Sequence, residues 1–305
     1  MDEPTLEQFD VDFETELVAD HRAWLNRQTH RTAARNWENA YKVEKQRQTA
    51  LHEAVVRRFL QQQGFKVTPN ESPNGKYKAP DFLCEGPNGE RFYVEATCIS
   101  NDKVAEFSTI PDGHEGVTYF ALLTRRLSCV PRNKEEQCAN LDAPVLVAVG
   151  TFHSHALTLF GKSKLDQCLT GRQFVTWGFK DGKPVGKPHT ATSHEGSVWF
   201  SNAGELECAP ISALLFFRSA YDPPCCHGIL NPKPNHAFNS AWFPNVAFGS
   251  VDPQSLAITW VQEKQKMTDE EYHAALLNLG WSVDEIAELK ATCATHRADQ
   301  SDDDI

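Results

Sequence analysis

The chain has 305 residues, 40% of them hydrophobic and 23% charged, with a formal net charge of −11; this suits one large or two modest globular domains. It has no run of 18 apolar residues to cross a membrane, and its acidic start, MDEPTLEQFDVDFETE, lacks the apolar stretch of a secretory leader. The nine cysteines are scattered without a C-x-x-C pair, which removes zinc-ribbon and thioredoxin readings and makes a reducing cytoplasm the expected compartment.

The charge is uneven. Residues 1–20 carry eight acids and no Lys or Arg, and residues 268–305 carry ten acids against Lys290 and Arg297, which leaves +5 on residues 21–267. A mildly basic body between acidic ends is compatible with a nucleic-acid partner; two solvated tails on an ordinary domain is the other reading.

The first predicted element is helical, from about Phe13 to Gln63, and broken at least once. Leu51, Val55, Phe59 and Leu60 mark one apolar face of its last part, and Gly64 stands where a glycine ends a helix. Short strands are expected at FKVTP, YKAPDFLCE and RFYVEATCI, the last two joined by the turn residues GPNGE. VTYFALLTRRLSCV and NKEEQCANLD read as two helices, APVLVAVGTF as a buried strand, and HSHALTLFG as the start of another helix. RQFVTWGFKDGKPVGKP reads as a hairpin turning at Asp181-Gly182. SVWFSN, ISALLFFRS and CHGILNP read as strands, and NPKPNHAFNSAWFPNVAF as packed loop. After Lys266 two short helices are expected, capped by Thr268 with Glu271 and by Ser282 with Glu285. ADQSDDDI reads as a disordered tail.

Within this plan Asp81 and Glu95 stand out, since both fall in segments that otherwise read as buried strands and isolated buried charge is costly. Singly, each reads as a turn Asp or a salt-bridged strand Glu. Together, on neighbouring hairpin strands, they suit a divalent cation. Mg²⁺ takes hard oxygen ligands and keeps several waters, so two carboxylates and a backbone carbonyl suffice.

Pro80-Asp81-Phe82, followed after a 14-residue step by Glu95-Ala96-Thr97, resembles the PD-(D/E)XK nuclease superfamily. The resemblance covers roughly Ala50 to Thr151, and Glu53 matches an acid that many members carry on the preceding helix. It implies an α/β fold of the restriction-endonuclease-like kind, a central mixed sheet flanked by helices. The expected organisation is an N-terminal helical extension (1–47), the nuclease core (48–160), a β-rich extension packed on the core (161–262) and an acidic C-terminal helical hairpin and tail (263–305). The resemblance further implies Mg²⁺ or Mn²⁺ held by Asp81, Glu95 and the Ala96 carbonyl, with Glu53 in support. The family motif ends in Lys, where this chain has Thr97. Members with such a change supply the basic group from a neighbouring helix, and Lys134 is the candidate here, with Gln137 one turn later on the same face. A solvated helix residue is the plain alternative for Lys134. Arg125 and Arg126 are expected phosphate contacts, and Gln137 a further nucleic-acid contact.

The implied activity is metal-dependent phosphodiester hydrolysis, in DNA rather than RNA, in a restriction, phage-defence or repair setting. With Thr97 in place of Lys, the alternative is an inactive scaffold that binds nucleic acid or protein; a third reading is an unrelated α/β protein with coincidental acids. A homodimer or a protein partner engaged through the C-terminal helices is also expected, and no membrane. There is no P-loop, G-x-S-x-G or H-E-x-x-H. His153 and His155 read as a metal pair or as polar residues at a strand end. Cys225, Cys226 and His227 read as ordinary buried residues or a metal site. Trp177, Trp199, Trp242 and Trp260 read as core, with base stacking as the alternative.

Overall fold

The computed structural model describes residues 6–28, 31–70, 79–101, 117–152, 160–180, 183–220, 224 and 226–261. The expected helices after Lys266, His153 and His155, the Asp181-Gly182 turn and Cys225 lie outside them.

The N-terminal helical stretch breaks twice, into α1 (Leu6–Asn26), α2 (Arg31–Lys42) and α3 (Glu44–Gln62). The second break falls at Val43, a β-branched residue with extended backbone. Polar anchors lock the three helices together. The Trp37 indole N–H donates to the Ala50 carbonyl at 2.9 Å, and buried Arg57 donates to Asp20 at 2.6 Å and to Gln61 at 2.8 Å. α3 ends at Gly64, which has a φ of +90° that an L side chain rarely adopts. Phe65 N–H donates to the Leu60 carbonyl at 3.2 Å and Gly64 N–H to Gln61 at 3.0 Å, the paired bonds of a Schellman ending.

Among the described residues the next helices and strands, in order, are β1 (Lys66–Pro69), β2 (Phe82–Glu85), β3 (Arg91–Cys98), α4 (Val117–Cys138), β4 (Val145–Thr151), α5 (Lys162–Thr170), β5 (Arg172–Lys180), β6 (Lys183–Ser193), β7 (Ala213–Arg218), β8 (Cys226–Leu230), β9 (Ala247–Val251) and β10 (Ile258–Val261). Eight strands form one mixed sheet in the order β1-β2-β3-β4-β7-β8-β9-β10, and β5 and β6 form a separate two-stranded ribbon. β3, β4 and β7 run parallel at the centre. A parallel strand covered on both faces must be apolar at every position, and all seven residues of β4 are buried. Leu146 and Ala148 face the cluster built on α1, α2 and α3, while Val145, Val147 and Val149 face Leu127 of α4 and Leu165 and Leu169 of α5. The molecule is therefore α/β, with helices on both faces of a mixed sheet.

Three expectations change. The segment 161–262 is not a layer packed on a finished core: β7 pairs with β4, and β8 to β10 extend the same sheet. SVWFSN is not a strand; its β pairing is an isolated bridge between Phe200 and Leu206, and backbone bonds such as Val198 N–H to the Cys168 carbonyl at 2.8 Å hold it in place. The two helices expected after Val117 are one, running through Pro131. Proline in a helix removes a bond and costs about 3 kcal/mol. Pro131 is itself buried, and its neighbour Arg132 donates to Glu207 at 2.6 Å and to the Phe200 carbonyl at 2.8 Å, so packing offsets the break. No helix among the described residues is long and apolar enough to cross a membrane.

Candidate active site

β2 and β3 pair antiparallel, and Phe82 opposite Val94 is the last pair of the ladder. Beyond it stands Pro80, which has no N–H to continue the ladder. The Asp81 carbonyl instead accepts from Asn70 N–H at 2.9 Å, and the Asn70 side chain donates to the Pro80 carbonyl at 3.1 Å. This holds Asp81 at the opening of the hairpin, where its Oδ2 accepts the Ala96 N–H at 2.8 Å. Ala96 thus enters the site through its amide.

Glu95 lies next to this contact, 4% exposed. Along β3, Val94 and Ala96 face the α1–α3 cluster and Tyr93 faces the other, so alternation puts Glu95 and Thr97 on the α4 side. From α4, Lys134 Nζ is ion-paired with Glu95 Oε1. Gln137 Nε2, one turn along the helix, donates to Glu95 Oε2 at 2.7 Å and to the Ala79 carbonyl at 2.8 Å. Both carboxylate oxygens of Glu95 are therefore engaged by residues three apart on one helix face.

Glu53 joins from α3. Burial, and then the charge of Glu95, pushes its carboxyl up to about 8. Asp81 is also raised well above the usual carboxylate range, first by burial and then by Glu95 and Glu53, against the opposing pull of the Ala96 N–H and Lys134. Three acids and one lysine thus share a partly dry site in which negative charge is in excess.

Five expected residues, Asp81, Glu95, Glu53, Lys134 and Gln137, come together. Gln137 differs in role: both its contacts are inside the protein, so it orients Glu95 rather than reaching for nucleic acid. Thr97 is half-buried two residues beyond Glu95. Arg125 and Arg126 are on α4, roughly two helical turns before Lys134, and their side chains lie outside the described residues. Sequence reasoning missed Cys138, whose thiol is pushed up to about 12 by burial and then by the charge of Glu95. Its position four residues after Lys134 was the available signal. It also missed His52, the neighbour of Glu53, fully buried against the sheet. Trp199 is fully buried, and Trp242 stacks on Phe92 with centroids 5.5 Å apart. The Trp260 indole donates to Asp166 at 2.9 Å, and the His227 ring lies 6.1 Å from it. These contacts place Trp199, Trp242 and Trp260 in packing roles; the Trp177 side chain lies outside the described residues.

Among the described residues, no three His, Cys, Asp or Glu side chains are already drawn into a metal cage. The donor chemistry nonetheless fits a hard divalent cation. The donors are carboxylate oxygens, Mg²⁺ needs one or two of them and retains waters, and positive charge would relieve the repulsion that raises Asp81 and Glu53. Comparison with family models, with curated proteins and with solved structures returned no match to this chain.

Proposed function

We propose that this chain is a divalent-metal-dependent nuclease with a restriction-endonuclease-like core of the PD-(D/E)XK kind, hydrolysing phosphodiester bonds in DNA. The observation that carries the reading is the meeting of Asp81, Glu95, Glu53 and Lys134 from four separate stretches of chain at the open end of one hairpin. Asp81 and Glu95 are the residues that would hold Mg²⁺ or Mn²⁺. When bound, the ion supplies Lewis-acid polarisation of the phosphate and a more acidic water.

The protein groups do the rest. Lys134 provides positive charge where phosphate oxygens become more negative. Gln137 keeps Glu95 aimed by tying it to the Ala79 carbonyl. Glu53, with its carboxyl near 8, holds a proton around neutrality and releases it when positive charge enters the site. One observation favours a second reading. Lys134 already neutralises Glu95, and Thr97 cannot replace it, so a scaffold that binds nucleic acid without cutting it fits the same geometry.

The test is cleavage of duplex DNA, single-stranded DNA and RNA with Mg²⁺ or Mn²⁺, alongside thermal unfolding with and without the metal. Wild type cuts and is stabilised by metal; Asp81→Ala and Glu95→Ala stay folded, do not cut and lose that stabilisation. Cleavage by either variant would remove the metal-site assignment. A metal-stabilised wild type that cuts none of these substrates would leave the scaffold.

A further inference from the structure

We propose that the β5–β6 ribbon is a duplex-DNA grip, entering the major groove and holding the substrate of the carboxylate site. The ribbon is set apart from the main sheet. Its strands have 9 and 11 residues, which at about 3.3 Å per residue gives a reach on the order of 30 Å. It starts at Arg172, just after α5, and α5 packs with α4, which carries Lys134. The base of the ribbon therefore lies on the side of the sheet that carries α4 and α5.

Its charge is opposite to that of the chain. Residues 172–193 contain Arg172, Lys180, Lys183 and Lys187 against Asp181, a net of +3 in a chain of −11. Lys183 and Lys187 are exposed, and among the described residues neither has an ion pair or hydrogen bond. Val185 between them is 46% exposed and shares the face of Lys183, while Lys187 falls in the irregular stretch of β6 after Gly186, whose φ is +79°. The backbone partner of Lys183 is residue 180, also a lysine. The hairpin therefore brings two basic positions of the sequence into register at its closing pair. The ladder also shifts register between Thr176 and Gly178, and such bulges increase local twist.

The shape selects among polyanions. The major groove of B-form DNA, about 12 Å wide, admits a two-stranded ribbon, whereas the major groove of A-form RNA is too deep and narrow to be read this way. Lysines supply phosphate contacts, and an exposed valine suits a thymine methyl. The inference rests on the nuclease reading, because it names that site's substrate as duplex DNA.

The experiment is fluorescence anisotropy without divalent metal, over a salt series, on a labelled DNA duplex, the matching RNA duplex and the single strand. Proteins are wild type, Lys183→Ala with Lys187→Ala, and Lys233→Ala as an exposed-lysine control. Wild type and Lys233→Ala bind the DNA duplex alike and more tightly than the RNA duplex or the strand. The double variant loses about 1.8 from the log–log salt slope, two phosphate contacts at about 0.9 each, and on the order of 10- to 100-fold in affinity at 0.1 M salt. Lys183→Gln with Lys187→Gln repeats the result with the long side chains kept, and circular dichroism confirms the fold. An unchanged slope, equal binding to duplex RNA, or no duplex binding by wild type overturns the grip, whatever the cleavage assay shows. Loss of binding in a protein that never cuts would instead overturn the nuclease reading and leave the grip standing.

Discussion

Lys134 reaches the site from a helix, while the residue two past Glu95 in the motif is Thr97, uncharged and half-buried. A lysine on a flexible stem can hold its charge over a reacting phosphate from either origin. Lys134→Ala is expected to lower the cleavage rate by about 100-fold or more, the scale of a lost electrostatic stabiliser. Mg²⁺ affinity, followed by calorimetry, holds or rises in that variant, since Glu95 loses a competing cation. Thr97→Lys in the Lys134→Ala background restores part of the rate. Near-normal cleavage by Lys134→Ala would move the role to Arg125 or Arg126. At this scale the sequence was informative where chemistry was incongruous. Asp81 and Glu95 were visible as acids in apolar strands, and Lys134 as a lysine on the helix before a buried strand. Gln137's inward role and Cys138 were not visible, because each depends on where α4 crosses β3, a packing outcome that no local pattern encodes.

Helix α3 carries Glu53 to the site, and the neighbouring His52 fixes α3 to the sheet. His52 Nε2 lies 3.1 Å from the Ala148 carbonyl and Nδ1 lies 2.9 Å from Ser219 Oγ. The first contact requires the proton on Nε2, so Nδ1 accepts from the Ser219 hydroxyl. Gly150 permits this approach, as a Cβ there would stand 2.2 Å from the His52 ring. Burial lowers the His52 imidazole to about 4, against a raising contribution from the Ala148 carbonyl, and burial then Arg57 lowers His21 to about 3. Both histidines stay neutral in the fold while the unfolded chain protonates them below about 6.5. Their stabilisation is complete above that value and is lost as pH falls toward 4, for His52 by up to on the order of 3 kcal/mol. Glu53 and Asp81 act oppositely: their raised carboxyls favour the fold at low pH and oppose it as pH climbs above the ordinary carboxylate range, for Glu53 toward 8. Urea unfolding of wild type and His52→Gln between pH 4.5 and 7 isolates the histidine. The variant is less stable at pH 7, and the gap narrows as pH falls. A gap that stays constant would show that His52 titrates normally. Elements with strong local signals were legible: the Gly64 ending, the 82–98 hairpin and β4 with its unbroken apolar run. α4 was read as two helices because Pro131 is a local breaker and the contacts that override it, Arg132 to Glu207 and Phe200, are distant in sequence. β9 and β10 give weak strand patterns, because Gly249 interrupts the first and the second is only four residues long, and pairing supplies what propensity lacks.

Over the whole molecule, the last described strand of the main sheet ends at Val261, and among the described residues both core clusters are built from residues before it. Residues 263–305 carry −7, so a chain ending at Gln262 would carry −4 rather than −11. Net negative charge repels a polyanion at distances set by ionic strength, about 10 Å at 0.1 M salt and about 3 Å at 1 M. Removing residues 263–305 is therefore expected to leave a cooperatively unfolding protein that binds duplex DNA more tightly, mainly through faster association. The gain is largest in dilute buffer and fades as salt approaches 1 M, while the number of phosphates gripped by Lys183 and Lys187 is unchanged. Anisotropy titrations of the two lengths across a salt series, paired with thermal unfolding, measure both. A truncated chain that fails to fold would show that the C-terminal segment completes the core. An affinity gain that persists unchanged at 1 M salt would show that the segment covers the DNA-binding surface by direct contact rather than by its charge.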